Sequence, residues 1–225
     1  MVESSEEDSL VSYSELGTRN SERVGGAILA GGEATRFGGV PKGLERVGGK
    51  RILDHLVDAF VAALGEPPLL VANAPEAAGW RPDLRVVPDL RPGLGALGGL
   101  YTAVRLAPAP VVVVAWDMPF VVPGLIRALA AGLANADACL PESDGPRKLE
   151  PMCAAYGPGC LPAIATALDA GDLRAIAFHS RIKVSILSRE QVRVFGDPAR
   201  MFYNVNTSAD LAEAHQLWQK PGFSR

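Results

Sequence analysis

Short apolar runs bounded by glycine, proline or charged residues alternate along the chain with stretches of helical periodicity. The apolar runs predict strands at 24–30, 69–72, 84–87, 111–116, 151–156 and 183–187. Helices are predicted at 51–64, 96–106, 123–133 and 209–218. Strands without polar faces that alternate with helices predict a parallel sheet covered on both sides.

The first 24 residues differ from the rest of the chain. They are rich in Ser and Glu, contain few large apolar groups, and are predicted to form a disordered acidic extension. No repeat or linker interrupts 25–225, which is expected to be a single domain. The extension carries a charge of −4 and the whole chain −3, so the domain is near neutral at +1. A near-neutral domain has no broad field to attract nucleic acid, and no nucleic-acid partner is expected.

The composition of the 225-residue chain also excludes several classes of protein. No uncharged apolar run approaches 18 residues, so no membrane span is predicted. The acidic, Ser-rich start is unlike a secretory signal, and three cysteines without a CxxC motif indicate neither a disulfide framework nor a zinc site. We therefore expect a cytoplasmic protein. Nucleophilic catalysis is unsupported, because there is no GxSxG motif and Cys153 has no neighbouring base.

Polar features follow three of the predicted strands. They are the glycine-rich loop after Ala30, Asp89 after the strand at 84–87, and Asp117 after the strand at 111–116. Open parallel sheets bind ligands beyond the carboxyl ends of their strands. These three positions therefore predict a binding site at one edge of the sheet.

The loop after Ala30 combines paired glycines with two cations, Arg36 and Lys42. Glycines let backbone amides approach a phosphate or a base, and the cations can neutralise a triphosphate. The segment is not a Walker A loop, since no GxxxxGK[ST] is present. The alternative is a glycine-rich turn with solvated charges.

Three further features have a structural and a functional interpretation. A GxGxxG pattern at 93–98 lies beyond its strand, with Asp89 to Pro92 intervening, so it favours a loop that opens a helix over a dinucleotide fingerprint. Asp117 is either a helix cap or a Mg²⁺ ligand, and the six residues to Pro123 argue against a cap. Asn204 and Asn206 either serve turn chemistry or face a ligand, with Thr207 or Ser208 capping the helix that follows.

Together these segments resemble the MobA-type molybdenum cofactor guanylyltransferases of the nucleotidyltransferase superfamily. The family's opening signature, LAGG-x3-R-x-GG-x-DKGL, reads LAGGEATRFGGVPKGL here. Later matches are VVPDLRPGLGALGGL, AWDMPF, LEPMCAAY and FYNVNT, so the likeness spans about residues 25–218. It implies a Rossmann-like three-layer α/β/α sandwich with a mostly parallel central sheet. It also implies Mg²⁺-dependent transfer of GMP from GTP to the terminal phosphate of molybdenum-molybdopterin, with release of pyrophosphate.

The resemblance also implies roles for individual residues. Leu29, Ala30 and Gly31 would contact the nucleotide through their backbone, Gly32 would shape the loop, and Arg36 and Lys42 would hold the triphosphate. Asn73 and Asp89 would recognise guanine and ribose, and Asp117 would bind magnesium. Gly98 and the surrounding glycines, with Asn204 and Asn206, would border the acceptor, and Asn206 is a candidate second magnesium ligand. Transient contact with proteins of cofactor biosynthesis or molybdoenzyme maturation is also implied.

One departure from the family pattern concerns the acceptor. Pro41 stands where the family usually has Asp, and Pro-Lys occurs in nucleotidyltransferases that act on sugar phosphates or methylerythritol phosphate. A related enzyme that uses CTP or a sugar-phosphate acceptor is therefore the alternative. A nucleotide-binding regulator without catalysis and an NAD-dependent oxidoreductase are more distant alternatives.

Overall fold

The computed structural model describes residues 24–31, 41–107, 110–145 and 148–220. The extension predicted at 1–24 lies, apart from Val24, outside these residues, as do Gly32 and Arg36. Within the described part of the chain, no helix combines the length and apolar character needed to cross a bilayer.

The described residues form nine strands and eight helices. The strands are β1 (Gly25–Leu29), β2 (Arg46–Val47), β3 (Lys50–Arg51), β4 (Leu69–Val71), β5 (Val86–Val87), β6 (Val111–Ala115), β7 (Ala138–Pro141), β8 (Cys153–Tyr156) and β9 (Val184–Leu187). The helices are α1 (Ile52–Leu64), α2 (Ala77–Trp80), α3 (Gly95–Leu106), α4 (Pro123–Ala131), α5 (Leu161–Asp169), α6 (Arg189–Arg193), α7 (Pro198–Met201) and α8 (Ser208–Gln219).

Seven strands form one central sheet in the order β5-β4-β1-β6-β8-β7-β9. Strands β5, β4, β1 and β6 are parallel, whereas β8 runs antiparallel to both of its neighbours. Alternate side chains of β1 enter separate cores, with Ile28 in the core shared with α1 and α4, and Leu29 in the core shared with α3 and α5. This arrangement confirms the predicted three-layer sandwich with a mostly parallel sheet.

The elements predicted from the sequence are all present, with β5 reduced to two residues. The sequence analysis missed β7, the small β2–β3 hairpin and the helices α2, α5, α6 and α7. Strand β7 has only four residues and ends in proline, so its pattern is weak, but it is paired on one side with β8 and on the other with β9. All three cysteines are buried and free.

A capping box begins α8, the helix that closes the chain behind the predicted ligand residues. The Thr207 hydroxyl accepts a hydrogen bond from the Asp210 backbone N–H at 3.1 Å. The Asp210 carboxylate in turn accepts one from the Thr207 backbone N–H at 2.8 Å and another from the Asn206 backbone N–H at 2.9 Å. Thr207 is therefore the predicted helix cap, and the same carboxylate fixes Asn206.

Thr207→Ala is expected to lower the free energy of unfolding by about 1 kcal/mol, because the cap loses its side-chain acceptor. Chemical denaturation would measure the change. Thr207→Ser is the matched control, since it keeps the hydroxyl and should remain close to the unmodified chain. Equal stability of the Ala and Ser variants would contradict this role.

Candidate functional site

A cavity of about 710 Å³ lies at the edge of the sheet where the parallel strands end. That volume is in the range of small-molecule binding sites. Six of the residues singled out in the sequence line it: Leu29, Gly31, Asn73, Asp89, Asp117 and Asn204. The polar features after three separate strands are therefore brought together at the predicted edge.

The pairing of β1 with its two neighbours builds the floor of this cavity. Leu29 is in register with Ala115 of β6, and its carbonyl accepts a hydrogen bond from the Trp116 backbone N–H at 3.2 Å. On the other side, the Ala30 N–H donates to the carbonyl of Val71 at 2.8 Å. The two parallel ladders thus continue to the point where Gly31 and Asp117 face the cavity.

Asp117 is an acidic group of the cavity lining whose pKa is raised by its surroundings. Its Oδ1 atom is buried and has no hydrogen-bond partner among the described residues. Burial raises the pKa of this carboxyl, while the positive charge of Lys42 lowers it, and the net shift is upward. α4 begins after Val122, which provides no side-chain cap, so Asp117 does not cap that helix. A buried carboxylate oxygen of this kind suits a cation ligand.

Lys42 lies beside Asp117 and is held from the far end of the chain. Its Nζ donates a hydrogen bond to the Asn206 Oδ1 at 2.7 Å. The backbone N–H of Val205 donates to the carbonyl of Asp117 at 2.9 Å, so the 204–206 segment contacts both residues. The turn that carries Lys42 packs closely on the floor, since a Cβ atom at Gly43 would overlap the Trp116 ring.

Asn73 and Asp89 form a reciprocal pair beyond the ends of β4 and β5. The Asn73 Nδ2 donates to the Asp89 carboxylate at 2.7 Å, and the Asp89 backbone N–H donates to the Asn73 Oδ1 at 2.8 Å. The next residue is tied to α3, because the Leu90 N–H donates to the buried Thr102 hydroxyl at 2.9 Å. These bonds present a fixed carboxylate and amide to the cavity.

Four of the predicted residues within the described part of the chain do not line the cavity: Ala30, Lys42, Gly98 and Asn206. Ala30 is buried, and Lys42, whose charge acts on Asp117, is hydrogen-bonded to Asn206. Gly98 faces away: a Cβ atom there would meet the Arg91 carbonyl and Leu94 at 3.1 Å. Gly98 thus allows the loop before α3 to pack on that helix, and its role towards an acceptor stays a prediction.

Several cavity residues were not assigned a role from the sequence. They are Val71, Ala96, Ala115, Trp116, Met118, Glu150 and Met152. The glycines around Gly98 that were predicted to border the acceptor also line the cavity, as Gly93, Gly95 and Gly99. Gly93 and Gly95 belong to the GxGxxG pattern and have φ values of 78° and 58°, which favour glycine. Glu150 and Met152 belong to LEPMCAAY, where no spacing rule indicates that they face a ligand.

Residues 26–184 match the family model of the MobA-like NTP transferase domain. The chain belongs to this family. It is 35% identical over 193 residues to a probable molybdenum cofactor guanylyltransferase of Pelotomaculum thermopropionicum, covering 85% of this chain and 92% of the relative. It is 30% identical over 196 residues to a molybdenum cofactor guanylyltransferase of Desulfosudis oleivorans, covering 86% and 95% of the two chains.

Solved structures of related proteins share the fold of this MobA-like domain. The molybdopterin-guanine dinucleotide biosynthesis protein A of Archaeoglobus fulgidus superposes with a TM-score of 0.73 at 26% identity, covering 86% of this chain and 98% of that one. The 4-diphosphocytidyl-2C-methyl-D-erythritol synthase of Anaerococcus prevotii has a TM-score of 0.64 at 14% identity, with 88% and 96% covered. At that identity the second likeness concerns the fold alone.

Asp117→Asn is expected to stabilise the ligand-free chain at pH 7 by about 1 kcal/mol, because it removes a buried charge. The folded-state pKa of Asp117 is raised, so ionisation at neutral pH opposes folding. The gain should shrink as the pH falls through that raised pKa towards the ordinary value of 3.8, where the carboxyl is protonated.

Unfolding curves between about pH 3 and pH 8 would measure this dependence. Asp58→Asn is the control, since that exposed carboxylate pairs with Lys50 at the surface and should give no such gain. A stability difference for Asp117→Asn that stays constant with pH would contradict a perturbed carboxyl at this position.

Proposed function

We propose that this chain is a molybdenum cofactor guanylyltransferase. It transfers GMP from GTP to the terminal phosphate of molybdenum-molybdopterin, releases pyrophosphate and forms the molybdopterin guanine dinucleotide cofactor. The observation that carries the proposal is the buried Asp117 of the cavity, on which the charge of Lys42 acts, in a family member whose relatives bear this name.

The reaction requires no covalent intermediate on the protein. An oxygen of the acceptor phosphate, already an anion, attacks the α-phosphorus of GTP. The bond from that phosphorus to the bridging oxygen breaks, and its electron pair leaves with pyrophosphate. The protein must therefore hold two polyanions together in line and stabilise the departing charge.

Residues in the cavity and next to it fit these tasks. The backbone of Leu29, Ala30 and Gly31 lies where the β1 ladder ends and can approach the nucleotide. Lys42 supplies a positive charge for the triphosphate and the leaving pyrophosphate, and Arg36 is proposed to act with it. The Asn73–Asp89 pair offers donors and acceptors to guanine or ribose.

The site also fits a magnesium ion. The unpartnered Oδ1 of Asp117 is the type of oxygen that Mg²⁺ prefers, and one carboxylate suffices when phosphate oxygens and water complete the shell. Asn206 is the candidate second ligand through the Oδ1 that Lys42 contacts. Bound here, Mg²⁺ would neutralise phosphate charge and polarise the α-phosphate.

Pyrophosphate release with Mg²⁺ tests the proposal directly. GTP, CTP, ATP and UTP would each be supplied with and without molybdenum-molybdopterin. We expect release only with GTP and that acceptor together. Release with CTP, or only with a sugar phosphate, would move the chain to the alternative within the superfamily. GTP binding without release from any pair would instead favour a nucleotide-binding regulator.

Asp117→Ala is expected to lower kcat by about 10²–10³ or more, since it removes the carboxylate at the reacting phosphate. Circular dichroism would check that the fold is retained. Turnover equal to that of the unmodified enzyme would remove Asp117 from the mechanism.

Lys42→Ala is expected to weaken GTP binding by about 10- to 100-fold, the usual value of a hydrogen bond to a charged group. Calorimetric titration of GTP would measure the loss. Lys50→Ala is the matched control, because Lys50 pairs with Asp58 on the surface. Equal affinities of the two variants would contradict a role of Lys42 at the triphosphate.

A further inference from the structure

Trp116 immediately precedes Asp117, and its side chain packs against the turn that carries Lys42. A Cβ atom at Gly43, the middle residue of that turn, would overlap the Trp116 ring at Cε3 and would lie 2.9 Å from Cδ2. Ordinary contacts between carbon atoms are about 3.5–4.0 Å. The turn and the ring are therefore closer together than a residue with a side chain would allow.

The Trp116 ring is held in place by its surroundings. It is buried, and it stacks on the buried ring of Trp80 with 5.2 Å between the ring centroids and 24° between the ring planes. The Trp80 carbonyl accepts a hydrogen bond from the Arg51 Nη1 at 2.9 Å, which ties Trp80 to the residue before α1. Displacing the Trp116 ring would disturb this packing, so the ring is a fixed surface for the turn.

The turn is short and is attached to α1. The Leu44 N–H donates to the Pro41 carbonyl at 2.9 Å, and the N–H of Ile52, the first residue of α1, donates to the Glu45 carbonyl at 2.9 Å. Because the ring is fixed, a side chain at position 43 has to be accommodated by the turn. The turn would need to move by about 1 Å to restore a contact of ordinary length.

The position of the turn determines where the Lys42 ammonium group lies. Its Nζ donates to the Asn206 Oδ1 at 2.7 Å, and the Asn206 backbone N–H donates to the Asp210 carboxylate at 2.9 Å. An N–H···O bond tolerates only about 2.7–3.2 Å, so a shift of about 1 Å would break this bond or force Lys42 into another rotamer. The contact between Gly43 and Trp116 therefore controls the placement of Lys42.

We propose that Trp116 is a positioning residue whose ring, through its contact with Gly43, places the Lys42 ammonium group for the triphosphate. The effect on GTP rests on the proposed function, whereas the effect on Lys42 itself does not. Gly43 is then required because it lacks a side chain and not because of its conformation. Gly48 and Gly49 of the β2–β3 hairpin have φ values of 61° and 84°, but Gly43 does not have a positive φ.

Gly43→Ala tests this assignment, because the backbone conformation is open to alanine and the contact with Trp116 opposes the methyl group. We expect the Kd for GTP, measured by calorimetric titration, to rise about 10-fold, since the displaced Lys42 loses a hydrogen bond to a charged group. Gly79→Ala is the matched control. Gly79 also lacks a positive φ, and a Cβ atom there would extend into open space among the described residues. Its Kd for GTP should stay within about twofold of that of the unmodified chain.

Two second-site backgrounds distinguish positioning from a merely structural effect. In a Lys42→Ala background, Gly43→Ala should change the Kd by no more than about twofold, because the group through which it acts is already absent. A Trp116→Leu background removes the ring atoms that a Cβ atom at Gly43 would overlap. There, too, Gly43→Ala should change the Kd by no more than about twofold. A full loss of about 10-fold in either background would overturn the assignment.

Amine labelling of the ligand-free chain tests the placement of Lys42 without any substrate. The Lys42 amine must leave Asn206 before it reacts. Gly43→Ala should therefore increase its labelling, relative to Lys50 in the same sample, by about two- to tenfold, the value of one hydrogen bond. Trp116→Leu should increase it as well, which provides a second measurement if Gly43→Ala does not fold. Peptide mass spectrometry would measure both lysines.

Unchanged labelling of Lys42 in these variants, or an unchanged Kd for GTP in Gly43→Ala, would overturn the assignment while the proposed function stands. Absence of GTP binding by the unmodified enzyme would instead refute the proposed function. The labelling would then still decide whether Trp116 positions Lys42.

Discussion

The parallel pairing of β1 with β6 is the constraint on which the site depends. Their register places Leu29 opposite Ala115, so the residues that follow each strand emerge at the same edge of the sheet. Both strands are completely buried except at Ala115, and their side chains enter cores on both faces. A shift of register by one residue would move each side chain into the opposite core and would also separate Gly31 from Asp117. The strand pairing that forms this edge of the sheet therefore also assembles the site.

The stability gained from those cores permits an unfavourable group at the edge. Asp117 is ionised only at a cost, because burial raises its pKa, and the charge of Lys42 offsets part of that cost. Lys42 is in turn held by Asn206, whose backbone is fixed by the capping carboxylate of Asp210. A helix at the end of the chain thus orients a cation near its beginning. An unsatisfied buried carboxylate of this kind is expected where a ligand completes the environment.

The sequence predicted the parts of this site that depend on local patterns. Asp117 stands out because it ends a wholly apolar run, and Thr207 because a cap precedes helical spacing. The contact between Lys42 and Asn206 could not be predicted in this way, because 164 residues separate them. The antiparallel direction of β8 and the presence of β7 were missed for a related reason. Their pairing is set by tertiary contacts, and periodicity carries no information about direction.

The structure also bears on the proline that departs from the family pattern. Pro41 has φ −61° and ψ 128° and precedes the turn at Lys42–Leu44, while its carbonyl accepts a hydrogen bond from the Leu44 N–H. A proline suits that φ value, and the turn requires its carbonyl rather than its missing N–H. Proline at position 41 therefore lacks the carboxylate of the family's Asp but preserves the turn that places Lys42. None of the turn residues Lys42–Leu44 lines the cavity, so position 41 affects the site through the placement of Lys42.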